Sequence, residues 1–134
     1  MVKRTECYVD TSAFIAFLDR SDSYHALFRR LFSAPPRLMT SALVVAEGHG
    51  WFLRRYDRNR ATQFLAFLDA LPDLSIKGFD VVELAKASEV AKKYADQKLT
   101  LADAHGIALI RESRIASCWS TDRHLSLGGV PLVI

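Results

Sequence analysis

The chain has 134 residues, 50% of them hydrophobic and 25% charged, with a formal net charge of +3. That length suits one domain with a real core, and that composition excludes a disordered chain. The mild positive excess permits a polyanionic partner without demanding one, and no apolar run approaches the roughly 18 residues of a membrane span. Met1-Val2-Lys3-Arg4 leads into a short strand rather than a secretory apolar region, so export is not expected. Cys7 and Cys118 lie in apolar strand-like runs and form no CxxC pair, which suits buried free thiols in a reducing cytoplasm.

In chain order, Cys7-Tyr8-Val9 is a small apolar run halted by Asp10-Thr11-Ser12, which reads as a buried strand followed by a helix over Ala13 to Leu18. Tyr24, Leu27, Phe28, Leu31 and Phe32 recur at helical spacing, and Ala34-Pro35-Pro36 ends that second helix. Arg37 to Thr40 reads as a strand. Ser41 then caps a helix running from Ala42 through Trp51 toward Arg55, which Gly48 and Gly50 should loosen. A helix over about Arg60 to Leu71 stops at Pro72-Asp73, and Leu74 to Lys77 forms a strand. Val81 to Tyr94 is helical again, and Thr100 opens another helix to about Glu112. Strands over Ile115 to Ser120 and Val130 to Ile134 follow, the last at a sheet edge because it contains Pro131. Strands alternating with helices, without tight hairpins, predict an α/β domain with a mostly parallel sheet, and no linker or repeat divides the chain.

Four acids stand where a structural role alone explains them poorly. Asp10 follows the first strand, where an open α/β sheet places its ligands, although Asp10, Thr11 or Ser12 could simply cap the next helix. Glu47 shares a helical stripe with Leu43, Val44 and Trp51, so it needs a cation, a proton or an edge position. Asp103 lies on a helix that is apolar on nearly every side, yet Thr100-Leu101-Ala102-Asp103 also matches a capping box. Asp122 follows the strand Ile115 to Ser120 as Asp10 follows the first one, and it too could be a cap. Two acids at strand ends and two on helices feeding the same edge make a cluster that repels itself unless a cation neutralises it. All-oxygen ligands suit Mg²⁺ or Mn²⁺, and no paired Cys and His pattern offers a zinc site. Such an ion can activate water and neutralise charge developing on a phosphodiester. The GxSxG elbow, Walker A and GxGxxG motifs are all absent, which argues against serine-hydrolase and nucleotide-binding readings.

Tyr8-Val9-Asp10-Thr11-Ser12-Ala13, Glu47, Leu99-Thr100-Leu101-Ala102-Asp103-Ala104 and Ser120-Thr121-Asp122-Arg123-His124-Leu125 come in an order and spacing that resemble the PIN-domain ribonucleases. The resemblance is closest to the VapC-like toxins of bacterial and archaeal toxin–antitoxin pairs, and it spans nearly the whole chain. It implies a three-layer α/β/α PIN-like fold over residues 1–134 and one or two Mg²⁺ or Mn²⁺ ions held by Asp10, Glu47, Asp103 and Asp122. It also implies RNA cleavage, a cognate antitoxin and a homodimer. Thr11, Ser12 and Thr121 lie beside those acids and are expected to orient them or a bound water, and Arg123 is the arginine expected to contact RNA. Leu125 stands where an aromatic residue is common in the family. His105 and His124 neighbour site acids, but the sequence assigns them no role. A rival is a non-catalytic PIN-like domain that binds RNA or protein, which has no use for clustered negative charge. A phosphotransferase using Asp10 as nucleophile would carry a second aspartate two residues on, and Ser12 stands there.

Overall fold

Tyr8 and Val9 point to opposite sides of β1 (Glu6–Val9), as the two-residue period of a strand requires, and the two sides meet different cores. The computed structural model describes residues 6–134. Within them β1 lies between β2 (Arg37–Ser41) and β4 (Ile115–Trp119), with β3 (Leu74–Lys77) beyond β2, so the order is β3-β2-β1-β4. Every strand pair is parallel. Parallel neighbours need long crossovers, and helices supply them: α1 (Thr11–Leu18) and α2 (His25–Ser33) lead to β2. Next, α3 (Ala42–Arg55) and α4 (Arg58–Ala70) lead to β3, while α5 (Val81–Lys93) and α6 (Leu101–Glu112) carry the chain back to β4. Because the chain builds outward from β1 to β3 and then returns to the far side of β1, the first four helices cover one face and the last two cover the other. The fold is thus the three-layer α/β/α arrangement that the sequence predicts.

One layer is aromatic. Phe14, Phe28, Phe32, Phe52, Phe64 and Trp119 are buried together, and Phe14 meets Phe32 and Phe64 with ring centroids 5.7 Å apart in each case. Burying such a side chain stabilises by about 1.5–3 kcal/mol, so this cluster fixes α1, α2 and α4 on the sheet. The opposite layer is aliphatic, built from Tyr8, Ile107, Leu109, Ile110 and Ile115 around α6, whose residues Ala102 to Ile110 are all buried. A bulge in β4 reconciles the strand with both layers. Glu6 pairs Ile115 but Cys7 pairs Ser117, so Ala116 is the extra residue and Ile115 and Cys118 face the same core. Cys7 and Cys118 are buried free thiols, as expected. No helix among the described residues is long and apolar enough to cross a membrane.

Two local expectations change. The glycines of α3 do not break it: the helix runs unbroken from Ala42 to Arg55, and a Cβ at buried Gly48 would come within 2.7 Å of the Phe64 ring. Gly48 is therefore the contact that lets α4 approach α3. The strand expected over Val130 to Ile134 shrinks to a single parallel bridge between Leu132 and Cys118. It does lie at the sheet edge beside β4, with the Pro131 carbonyl accepting from Cys118 N–H and Val133 N–H donating to the Cys118 carbonyl. Pro131 has no N–H with which to extend the ladder.

Candidate active site

The reversal of strand order around β1 and β4 opens a crevice at their carboxyl ends, which is where open parallel sheets bind ligands. Asp10 and Asp122 follow those two strands, Glu47 comes from the second turn of α3, and Asp103 from the first turn of α6. All four line one open cleft of about 220 Å³, together with Thr11, Ser12, Ile15, Trp51 and Thr100. No lysine or arginine among the described residues lines it.

Asp10 is buried, and although it holds the N-cap position of α1, its side chain makes no capping bond. Its amide donates to the Trp119 carbonyl, which locks the end of β1 to the end of β4. Its Oδ2 instead accepts from Ser12 Oγ at 3.0 Å and Ser120 Oγ at 3.1 Å. Burial, and then the negative charge of Asp103, push its pKa from an ordinary 3.8 to about 6 against the lowering effect of those hydroxyls. Asp103 has both roles that its sequence allows. Its Oδ2 accepts from Thr100 N–H at 3.0 Å while its own N–H donates to Thr100 Oγ1, completing the capping box, and its carboxyl still faces the cleft. Burial, the Thr100 amide acting in the opposite sense, and the Asp122 charge leave its pKa raised. Asp122 accepts from His124 N–H at 3.0 Å and so caps a 3₁₀ helix over Arg123–Gly128. Glu47 forms neither hydrogen bond nor ion pair among the described residues.

The supporting hydroxyls fall partly where the sequence places them. Ser12 bonds Asp10 directly, and buried Thr11 lines the cleft with an Oγ1 that has no hydrogen-bond partner. Thr121 is present through its backbone, its N–H donating to Ser12 Oγ at 3.0 Å. The hydroxyl that joins the two strand-end acids belongs to Ser120, one residue earlier, which donates to Asp10 and accepts from Asp122 N–H at 2.9 Å. Sequence reasoning missed Ser120 because it assigned that residue to the strand. Its position just past the last apolar residue of β4, matching Asp10 past β1, is the signal that could have found it. His124 was also passed over: its Nδ1 lies 3.1 Å from Asp122 Oδ1, and ligand atoms of Asp103, Asp122 and His124 fall within 4.8 Å of one another. Trp51, one turn beyond Glu47, forms part of the cleft wall. Arg123 is exposed and does not line the cleft.

These residues suit a hard divalent cation. The donors are carboxylate and hydroxyl oxygens, the Thr11 hydroxyl is buried without a partner, and both Asp10 and Asp103 are held in charge repulsion that a cation would relieve.

The PIN domain family model matches residues 7–127. The chain belongs to the PIN-domain family. No curated protein matches its sequence significantly. Among solved structures it is similar to VapC20 of Mycobacterium tuberculosis, described as a sarcin-ricin loop cleaving toxin, with a TM-score of 0.83 at 23% identity over 92% of this chain and 95% of that one. PAE2754 from Pyrobaculum aerophilum superposes with a TM-score of 0.63 at 18% identity, covering 97% of this chain and 90% of that one. VapBC2 from Rickettsia felis, bound to a DNA fragment from its promoter, gives 0.62 at 15% identity over 95% and 96%. The likeness to these three structures is one of fold.

Proposed function

We propose that this PIN domain is a Mg²⁺- or Mn²⁺-dependent endoribonuclease, the toxin of a toxin–antitoxin pair, acting in the cytoplasm as a homodimer. One observation carries the reading: four acids from four separate elements line a single cleft, with no basic residue in its walls among the described residues. Self-repelling carboxylates at the carboxyl end of a sheet have no structural use that four apolar or amide side chains would not serve better. The toxin and antitoxin parts draw support from the fold shared with VapC20, described as a sarcin-ricin loop cleaving toxin, and with VapBC2.

Asp10, Glu47, Asp103 and Asp122 would hold the ion, which when bound neutralises charge on a phosphodiester and lowers the pKa of water. Ser12 and Ser120 fix the Asp10 carboxylate by two hydrogen bonds, so its free oxygen is aimed before any ion arrives. Thr11 offers its unpaired hydroxyl beside the acids, and the Thr121 amide holds Ser12 in place. The capping box holds Asp103 on the first turn of a helix buried from Ala102 to Ile110, which gives that acid a rigid base. Arg123, exposed directly after Asp122, would meet the phosphate backbone of RNA outside the cleft.

The test is cleavage of RNA by purified protein in Mg²⁺ or Mn²⁺, with and without EDTA. Wild type should cleave and stop in EDTA, and Asp10→Asn should be inactive. Asp57→Asn should stay active, because Asp57 is exposed and only caps α4 through Arg60 N–H, a bond asparagine can replace. Cleavage at the wild-type rate by Asp10→Asn, in a preparation free of contaminating nuclease, would overturn the assignment.

A further inference from the structure

Where α1 ends, a shallow groove begins that is rich in arginine. It starts between Leu18, Arg20, Tyr56 and Arg60, passes Arg20, His25 and Arg29, and runs out along α2 past Arg29 and Arg30. None of these arginines forms an ion pair among the described residues, where every salt bridge involves Glu83, Glu112 or Asp122. The acid within the groove, Asp19, is buried, accepts from Ser21 N–H at 3.0 Å and Ser21 Oγ at 2.6 Å, and is further stabilised by the Tyr56 hydroxyl and the Arg60 charge. Solvated helix faces in this molecule look different: along α5, Glu83, Lys86, Glu89 and Lys92 alternate in sign. Asp19 offsets Arg60, and the positive charges of Arg20, Arg29 and Arg30 remain in excess, a repulsion that an anionic occupant would relieve.

The groove is also preorganised. Arg60 donates to the Leu18 carbonyl at 2.9 Å and lies 4.3 Å from the centroid of the Tyr56 ring, which fixes α4 against the end of α1. His25 bonds the Ala16 carbonyl through Nδ1 at 2.9 Å, which fixes the start of α2. It neighbours the acid cleft: Trp51 in the cleft wall meets Tyr56 in the groove wall edge to face, centroids 6.1 Å apart. The eight residues of α1 separate the two, about 12 Å at 1.5 Å per residue.

Resting on the ribonuclease reading above, we propose that this groove seats the phosphodiester backbone of the RNA strand on one side of the scissile bond. Arg20, Arg29 and Arg30 take the phosphates, and their fixed distance from the acids sets which bond along the strand is reached. The groove contributes register and affinity, not chemistry, so it governs KM and leaves kcat alone.

The experiment compares Arg20→Ala/Arg29→Ala with Arg37→Ala/Arg114→Ala. Both pairs are exposed and remove the same charge, but Arg37 and Arg114 stand at the opposite, amino end of the strands. Cleavage kinetics are read on polyuridine in Mn²⁺, and binding is read against salt in the Asp10→Asn background. The groove pair should raise KM severalfold with kcat unchanged and reduce the slope of log affinity against log salt by about 1.4, at about 0.7 per phosphate contact. The control pair should match the parent, and Arg20→Lys/Arg29→Lys should recover most of the affinity. Groove and control pairs that behave alike overturn the groove while leaving the nuclease standing. Absence of cleavage by wild type overturns the nuclease reading and the groove with it. RNA binding that survives in the groove pair while poly-glutamate binding is lost overturns the proposal in favour of an acidic polypeptide.

Discussion

Two acids in this molecule press against buried groups, and their surroundings could hardly differ more. Glu83 on α5 accepts the Nε2 of His105, a fully buried side chain, at 3.0 Å, and its other oxygen takes Lys86, which also reaches Glu112 at 3.1 Å. The His105 bond first, then Lys86, hold the Glu83 carboxyl below its ordinary range. Asp10 has two serine hydroxyls, the Thr11 amide and another carboxylate for company, no cation among them, and burial moves its pKa the opposite way. The first arrangement balances its acid with cations and donors from the chain itself. The second is consistent only when something positive is added. Removing an acid should therefore cost stability at Glu83 and cost activity, without stability, in the cleft.

The largest effect expected is on cleavage. Asp10→Asn or Glu47→Gln should eliminate it, whereas Glu83→Ala should leave kcat within about twofold of wild type on the same RNA, since it lies outside the cleft. Loss of activity in Glu83→Ala with an unchanged melting point would blur the distinction between the two clusters.

The next effect is a pH dependence in EDTA. A carboxyl whose folded pKa is raised contributes stability that is present below the unfolded value and lost as pH rises through the folded one. For Asp10 that window runs from 3.8 to about 6, and the difference corresponds to about 3 kcal/mol. Wild type should therefore lose stability relative to Asp10→Asn as pH is taken from 4 to 7, read as the difference between their denaturation midpoints. Saturating Mn²⁺ at pH 7 should restore wild type, by about 2.7 kcal/mol at a hundredfold excess over Kd, and should barely move the mutant. Parallel pH profiles for the two proteins would mean that the Asp10 carboxylate is not strained at all.

Third comes Glu83→Ala. His105 Nδ1 already has no partner among the described residues, so losing the Nε2 contact strands the whole imidazole beside Phe79. Leaving a buried polar group unsatisfied costs about 1–3 kcal/mol, and the melting temperature should fall by roughly 2–8 °C per kcal/mol in domains of this size range. An unchanged melting point would show that His105 finds another partner.

The sequence made the cleft legible because an acid after an apolar strand and an acid inside an apolar helix are rare enough to notice one at a time. Asp10, Glu47, Asp103 and Asp122 stood out by their neighbours, and parallel α/β order placed them at one edge. The Glu83–His105 pair was invisible for the opposite reason: Glu83 reads as an ordinary solvated position on α5, and only packing of α5 on α6 brings His105 beneath it. The same holds for Ser120, where a one-residue shift in the end of β4 decides which hydroxyl meets Asp10. Gly48 looked like a flaw in α3 because its reason, the Phe64 ring, lies on another helix. Local pattern carries identity and period; it does not carry contacts between elements distant in the chain.

Asp103 belongs to both arrangements at once, so its neutralisation gives the smallest and most informative stability change. As the acid of a complete capping box it favours the α6 dipole by about 0.3–1 kcal/mol, and asparagine would give up most of that. As a cleft acid it is held in repulsion by Asp10 and Asp122, which asparagine would relieve. Asparagine can still accept from Thr100 N–H through its amide oxygen, so the capping geometry survives and only the charge effects are compared. Burial and then the Asp122 charge raise the Asp103 pKa, and Asp103 in turn raises that of buried Asp10, so neutralising it at pH 7 relieves two unfavourable interactions against the loss of one dipole contribution. Asp103→Asn in EDTA should melt at the same temperature as wild type or slightly higher, and should cleave no RNA when Mn²⁺ is added. A lower melting point with cleavage retained would remove Asp103 from the site and leave the helix cap as its whole role.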